Sequence, residues 1–273
     1  MKNKTFRRII LVIQWVLIVY GLVGIAIYYL QDKLLFHPPP LSANYQFEFN
    51  HSYKEYSIPL NVKDTISLVR FIPADDTVAK GAVLYFHGNA GNIQDFAGCA
   101  NEFLSKNYEV WMPDYPGYGK SRGVITEMTL NEMAFQVKRL INKHFPDEKI
   151  IIYGRSLGTG IAANLASSMK VMNQLILVTP YYSIPDLYSS YLPIYPMQSM
   201  AKYQFPIFNY LDDVNGPVTI FHGTNDKTIP VASSYKLKKN LKEKVRLVIV
   251  KGAGHNDIDT TQEYIRTMDE LLK

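Results

Sequence analysis

Gly154-Arg155-Ser156-Leu157-Gly158 stands directly after the apolar run Ile150–Tyr153 and directly before Thr159 to Ser168, which reads as a helix. A G-x-S-x-G between strand and helix is a sharp turn that lifts the serine hydroxyl above a sheet. Glycine neighbours keep the turn tight, and the adjoining helix N-terminus favours developing negative charge. A free serine hydroxyl is a weak nucleophile and needs a base. Among six histidines, His255 is best placed for that role: Lys251-Gly252-Ala253-Gly254-His255 is a glycine-loosened loop after the last apolar run, Val245–Val250. His37 lies in a proline-rich spacer, His51 precedes the sheet, and His144 ends a helix. His87 and His222 each close an apolar run before a glycine and suit structural turn roles. An acid that orients the imidazole is expected after the run Val218–Phe221. His222-Gly223-Thr224-Asn225-Asp226 supplies Asp226 there. Asp212 and Asp213 precede that run, while Asp257 and Asp259 follow His255 and read more simply as a solvated loop or helix cap.

A tetrahedral intermediate needs two backbone N–H donors for its oxyanion. Leu157, following the serine, is expected to supply one. The loop His87-Gly88-Asn89-Ala90-Gly91-Asn92 is expected to supply the other from Asn89, its glycines letting the backbone approach a substrate. No glycine-rich loop fits a P-loop or a dinucleotide fingerprint, and no His and acid spacing suggests a metal site. Cofactor and metal are therefore expected to be absent.

These residues require a scaffold. Tyr53–Ile58 and Ile66–Ile72 read as an opening pair of strands, and Ala82–Phe86, Val110–Met112, Ile150–Tyr153, Leu175–Val178, Val218–Phe221 and Val245–Val250 as later ones. Short, nearly continuous apolar runs suit strands buried on both faces of a mostly parallel sheet. Helical patterns alternate with them; the clearest starts at Thr129, with Glu132 completing a capping box and Leu130, Met133, Ala134, Val137 and Ile141 on one face. The alternation implies an α/β fold with helices on both faces and chemistry at the carboxyl ends of the strands. Residues 53–273 are long enough for one such domain.

The N-terminus is of another kind. Ile9–Leu30 is a run of 22 residues with Gln14 as its one polar interruption. As a helix it spans roughly 33 Å, enough for a bilayer core of about 30 Å. It exceeds the apolar region of a cleavable signal peptide and is followed by no Ala-x-Ala site. Lys2, Lys4, Arg7 and Arg8 precede it, and within the next twenty residues only Lys33 follows. The positive-inside rule then predicts a single-pass signal anchor: residues 1–8 a cytoplasmic basic tip, 9–30 the transmembrane span, and the rest across the membrane. Residues 31–52 read as a linker, with His37-Pro38-Pro39-Pro40 as a stiff, extended spacer. Beyond residue 30 the chain has 25 basic and 24 acidic residues, so no basic face for nucleic acid is indicated. With 47% hydrophobic and 19% charged residues the chain is not disordered, and the single Cys99 excludes an intrachain disulfide.

Taken together, the segment 87–92, Asp114-Tyr115-Pro116-Gly117-Tyr118-Gly119-Lys120-Ser121, the elbow 154–158 and the Asp226 and His255 loops resemble the alpha/beta-hydrolase superfamily over about residues 53–273. The order serine, acid, histidine is that family's order. The anchor followed by Leu34-Leu35-Phe36-His37-Pro38 is similar to a membrane-anchored serine-hydrolase branch. The resemblance implies relatives among lysophospholipid lipases, protein depalmitoylases and chains labelled serine aminopeptidases by similarity, and does not choose among their substrates.

The roughly forty residues between Val178 and Val218 are too many for a plain connection. Rich in Tyr, Phe and Pro, residues 179–213 are expected to carry a helix and to form a small lid over Ser156. An apolar slot near a bilayer suits a substrate with an acyl chain. The leading expectation is a serine hydrolase of acyl esters or thioesters, with lipids among its substrates. A serine peptidase on the same triad and a non-catalytic anchored binding protein on the same fold stay open.

Overall fold

The computed structural model describes residues 2–62, 64–74, 78–241 and 244–273. Met1, first residue of the basic tip, lies outside them. The chain opens with helix α1 (Lys2–Leu35), which by length and composition is able to cross a membrane. It runs past both ends of the expected span. Most of α1 is exposed, but Gly24, Gln31 and Leu35, which share one face, are buried.

Strands β1 (Tyr53–Pro59), β2 (Thr65–Phe71), β3 (Gly81–Phe86), β4 (Tyr108–Pro113), β5 (Ile150–Arg155), β6 (Gln174–Val178), β7 (Val218–Gly223) and β8 (Val245–Val250) form a sheet in the order β1-β2-β4-β3-β5-β6-β7-β8. β1 with β2 and β2 with β4 pair antiparallel; the remaining pairs are parallel. Every residue of β3 to β7 is buried, which is why these strands read as continuous apolar runs. The edge strand β1 has no buried residue. Between strands lie α2 (Ile93–Phe96), α3 (Asn101–Leu104), α4 (Glu127–Ile141), α5 (Gly158–Ser167), α6 (Ile184–Tyr191), α7 (Met197–Met200), α8 (Ile207–Asp213) and α9 (Ala232–Leu241), and α10 (Gln262–Leu271) closes the chain.

Because successive side chains on a strand point to opposite faces, each strand feeds two cores. Leu84, Ile152, Leu175 and Ile220 pack with Met133 and Val137 of α4, Ile161 of α5 and Leu211 of α8. Val83, Tyr85, Ile151, Tyr153 and Phe221 pack with Phe103 of α3 and Tyr264 and Met268 of α10.

Three expectations are revised. Helix α4 begins at Glu127, not Thr129. The extended residue Thr126 caps it, accepting from Thr129 N–H at 3.0 Å, while Thr126 N–H donates to Thr129 Oγ1 at 2.9 Å. Thr129 therefore takes the third helical position rather than the cap, and Glu127 puts an acid in the first turn. Second, the proline spacer is not free-standing. Leu41 N–H donates to Gly119 O at 2.8 Å, Gly119 N–H donates to Pro39 O at 3.1 Å, and Phe36 and Phe47 are buried in the two cores. Third, residues 179–213 carry three helices, α6 to α8, and part of the segment is core: Phe205, Ile207 and Leu211 are fully buried.

Candidate active site

Ser156 sits between β5 and α5 with φ of 51°, a left-handed conformation that side chains other than glycine rarely adopt. Two bonds between backbone groups hold it there, and the Thr159 hydroxyl also donates to Ser156 O at 2.5 Å. Ser156 N–H donates to Val178 O on β6 at 2.9 Å, and Thr159 N–H donates to Ser156 O at 3.0 Å. The flanking glycines are required by space. A Cβ on Gly158 would stand 2.2 Å from Phe86 O, and one on Gly154 would stand 2.6 Å from Gly158 O. Glycine at 158 therefore lets the turn nest against the end of β3, and glycine at 154 lets α5 pack back on the end of β5.

The parallel pairings of β5, β6, β7 and β8 bring the loops after β5, β7 and β8 to one edge. There His255 Nε2 lies 3.0 Å from Ser156 Oγ, and His255 Nδ1 lies 2.8 Å from Asp226 Oδ2. A carboxylate on Nδ1 selects the tautomer in which Nδ1 carries the proton and Nε2 accepts from the serine hydroxyl. The other oxygen of Asp226 accepts from Thr228 N–H and Ile229 N–H, each at 2.8 Å. Burial opposes ionisation of Asp226, but hydrogen bonds from His222, His255 and Ile229 N–H outweigh it and hold the carboxyl well below its usual range. His222 is fully buried: its Nδ1 meets Ser234 Oγ at 2.7 Å and its Nε2 meets Ile229 O at 2.8 Å. It thus shapes the turn that presents Asp226.

Asn89 and Leu157 border the same cavity as Ser156 and His255. Leu157 is the N-cap of α5, so its N–H precedes the helical hydrogen-bonding ladder. The Asn89 side chain is fixed from two sides. Tyr118 O–H donates to its Oδ1 at 2.9 Å, as does His37 N–H at 3.1 Å, and its Nδ2 meets His37 Nδ1 at 2.9 Å. Behind it His87 is fully buried, stacked on Tyr115 with ring centroids 4.1 Å apart, and its Nδ1 meets Gly88 O at 2.7 Å.

The other aspartates separate clearly. Asp212 and Asp213 end α8. Asp257 accepts from Gly254 N–H at 2.6 Å, beside His255. Asp259 is not simply a solvated loop residue: its Oδ2 is 2.5 Å from Arg155 Nη1, and Arg155 Nη2 also donates to Asn256 O at 3.2 Å. Arg155, His37 and Tyr118 were not distinguishable as site residues in the sequence, since their partners lie on other loops.

The cavity, 590 Å³ in volume, has Ser156 and His255 on its floor. Leu34 and Leu35 of α1, Phe96 of α2 and Ile184, Leu187, Tyr188 and Tyr191 of α6 wall it. Among the described residues no three His, Cys, Asp or Glu side chains converge as metal ligands would. Chemically, the arrangement provides a hydroxyl with a base in contact and a buried anion behind the base, at a cavity whose walls are mainly apolar but include Asp95, Arg155 and Asp259.

Residues 81–203 match the profile of the alpha/beta hydrolase fold. The chain is 29% identical over 233 residues to a putative alpha/beta hydrolase of Acanthamoeba polyphaga mimivirus, covering 83% of this chain and 87% of that one. It is 28% identical over 202 residues to alpha/beta hydrolase domain-containing protein 17B of Homo sapiens, covering 71% and 67%. Among solved structures it is similar to a Pyrococcus furiosus esterase, with TM-score 0.67, 17% identity and coverage of 87% and 96%. A carboxyl esterase of Bacillus coagulans aligns with TM-score 0.65, 16% identity and coverage of 82% and 100%.

Proposed function

We propose that this chain, a member of the alpha/beta-hydrolase superfamily, is a membrane-anchored serine hydrolase that cleaves carboxylic esters or thioesters carrying an acyl chain. The observation that carries this reading is the unbroken series Asp226–His255–Ser156, at 2.8 and 3.0 Å, on the floor of an apolar cavity. Ser156 Oγ attacks the acyl carbon as His255 Nε2 takes its proton, and Asp226 stabilises the imidazolium. The N–H groups of Leu157 and Asn89 receive the oxyanion. His255 returns the proton to the leaving alcohol or thiol, and water, deprotonated by the same imidazole, releases the acid from the acyl-enzyme. Two neighbours in fold are named esterases, which supports ester chemistry over amide chemistry. The depalmitoylase-like and lysolipase-like branch implied by the sequence fits the aliphatic and aromatic walls of the cavity.

Helix α1 supplies the anchor, with its basic tip in the cytoplasm and the hydrolase domain on the far side. Residues 179–213 act as the lid, with α6 over the nucleophile.

A fluorophosphonate probe on the full chain tests the mechanism. It is expected to label wild type and to spare Ser156→Ala; equal labelling of both would reject the nucleophile. A panel of acyl esters, acyl thioesters and aminoacyl amides separates esterase from peptidase. Protease added to the non-cytoplasmic face is expected to digest the domain, and protection of all but a short tail would reverse the topology.

A further inference from the structure

The second half of α1 does not stand alone in its surroundings. The loop after α6 runs along it. Tyr20 O–H donates to Ile194 O at 2.8 Å, and the Tyr20 and Tyr195 rings stack with centroids 4.6 Å apart. Nearer the domain, Gln31, fully buried, donates to Met200 O at 2.9 Å and accepts from Lys202 N–H at 2.8 Å. Asp32 then meets Lys202 Nζ at 3.1 Å and Tyr203 O–H at 2.8 Å.

Both segments change character at one height. Leu187 to Ala201 contains no charged residue, and α1 contains none from Ile9 to Gln31. Charge resumes in both at the Asp32–Lys202 pair. From that pair, Tyr20 lies twelve residues down the helix, roughly 18 Å at 1.5 Å per residue. From Arg8 to Asp32 is roughly 36 Å, between the thickness of the hydrocarbon core, about 30 Å, and that of the whole bilayer, about 40–45 Å. A bilayer seated on these charged levels holds Ile194 and Tyr195 below its headgroups.

The loop is built for that setting. Inside hydrocarbon, backbone polar groups must find partners within the protein. Leu192 N–H donates to Tyr188 O, Tyr195 N–H to Leu192 O and Met197 N–H to Tyr195 O, at 2.8, 3.1 and 2.8 Å. Pro193 and Pro196 have no N–H, and Ile194 O takes the Tyr20 hydroxyl. The side chain turned outward at the tip is apolar: Ile194 is 70% exposed.

We propose that Leu192–Met197 is a second membrane-seated element, immersed among the lipid acyl chains of the leaflet on the domain side and strapped to α1 by Tyr195, while the exposed Gln198 and Ser199 lead back to Met200 and Gln31 beside the charged level. The proposal rests on reading α1 as the membrane anchor. Its consequence is lateral access: Leu34 of α1 and Tyr188 and Tyr191 of α6, the helix that leads into this loop, wall the Ser156 cavity, so an acyl chain in the leaflet reaches Ser156 past these side chains.

The test uses the full chain in phosphatidylcholine vesicles whose acyl chains are brominated. Cys99→Ser removes the native thiol, and Ile194→Cys, Ile13→Cys or Val171→Cys then carries an environment-sensitive fluorophore. Val171 precedes β6, at the edge of the sheet opposite Ser156, and is 43% exposed. We expect fluorescence at position 194 to be quenched as it is at position 13, with a blue-shifted emission, and position 171 to be untouched. Quenching at 13 but not at 194 would overturn the proposal while leaving the anchor standing. Quenching at neither would overturn both. None of these readouts depends on hydrolase activity, so a failed assignment of Ser156 leaves the outcome interpretable.

Discussion

Arg155, the residue before the proposed nucleophile, forms an ion pair at 2.5 Å with Asp259, four residues beyond His255. Nη2 of the same guanidinium donates to Asn256 O at 3.2 Å. The serine turn and the histidine loop are thereby clamped together by one side chain that is 8% exposed.

Breaking this clamp is expected to lower kcat more than it raises KM, because the distance from His255 to Ser156 loosens while the apolar walls from α1 and α6 stay. Arg155→Met leaves a partly buried carboxylate unpaired and is expected to cost about 1–3 kcal/mol of stability. Arg155→Lys retains charge but not the two-pronged geometry, and is expected to recover stability better than kcat. A double-mutant cycle with Asp259→Asn checks the pairing; additive effects would show that the two side chains act independently.

Ser156→Ala is expected to reduce turnover by roughly four decades. Ser156→Gly is expected to be equally inactive, yet more stable than Ser156→Ala by about 1 kcal/mol, since position 156 is left-handed with φ of 51°. Steady-state kinetics and thermal unfolding of the two variants check both statements. An alanine variant as stable as the glycine one would mean that the turn carries no strain.

Glu102 on α3 accepts from Tyr264 O–H at 3.1 Å, and the Tyr264 hydroxyl also meets the Tyr153 hydroxyl at 3.0 Å. Burial, with the nearby Asp259 and Asp269 carboxylates, pushes Glu102 up to about 7. A folded-state value above the unfolded one means that the native chain holds a proton which the unfolded chain releases. The resulting stability is fully present below about pH 4.5 and is lost as pH rises through about 7. Asp226 runs the other way: its depressed value stabilises at neutral pH and loses that contribution in acid. Glu102→Gln is therefore expected to gain stability over wild type as pH rises from about 5 to 8, by on the order of 1–3 kcal/mol. Denaturant titrations across that range measure the difference, and a constant difference would contradict the burial of Glu102.

Chain-length preference follows from the walls of the cavity. Each methylene buried against Leu34, Ile184 and Leu187 contributes about 0.8 kcal/mol, so kcat/KM is expected to rise roughly fourfold per carbon until the slot is full. The measurement is a series of p-nitrophenyl esters from acetyl to palmitoyl, kept below their aggregation limits. A steady decline from acetyl onward would defeat the apolar slot. Ile184→Trp, which narrows the cavity at a fully buried position, is expected to shift the optimum to shorter chains.

The strands and the proposed triad were legible in the sequence because each depends on local chemistry. A strand buried on both faces must be largely apolar, and β3 to β7 are, with Glu109, Arg155, Gln174, Thr219 and His222 as buried polar exceptions. A strand–turn–helix junction that lifts a side chain off the sheet needs small neighbours, hence Gly154 and Gly158 around Ser156. The length and composition of α1 were equally plain. What only the tertiary structure decided are pairings between distant segments with no local periodicity. Asn89 is fixed by His37 across 52 positions, Arg155 by Asp259 across 104, and Gln31 by Met200 across 169. The sheet order sets β3 beside β4, and the segment after α1 bridges the loops that follow these two strands, His37 to Ala90 and Pro40 to Gly119. The composition of residues 31–52 matches that of a free linker, and the single face of α1 holding Gly24, Gln31 and Leu35 acquires meaning only when residues 192–203 are laid against it.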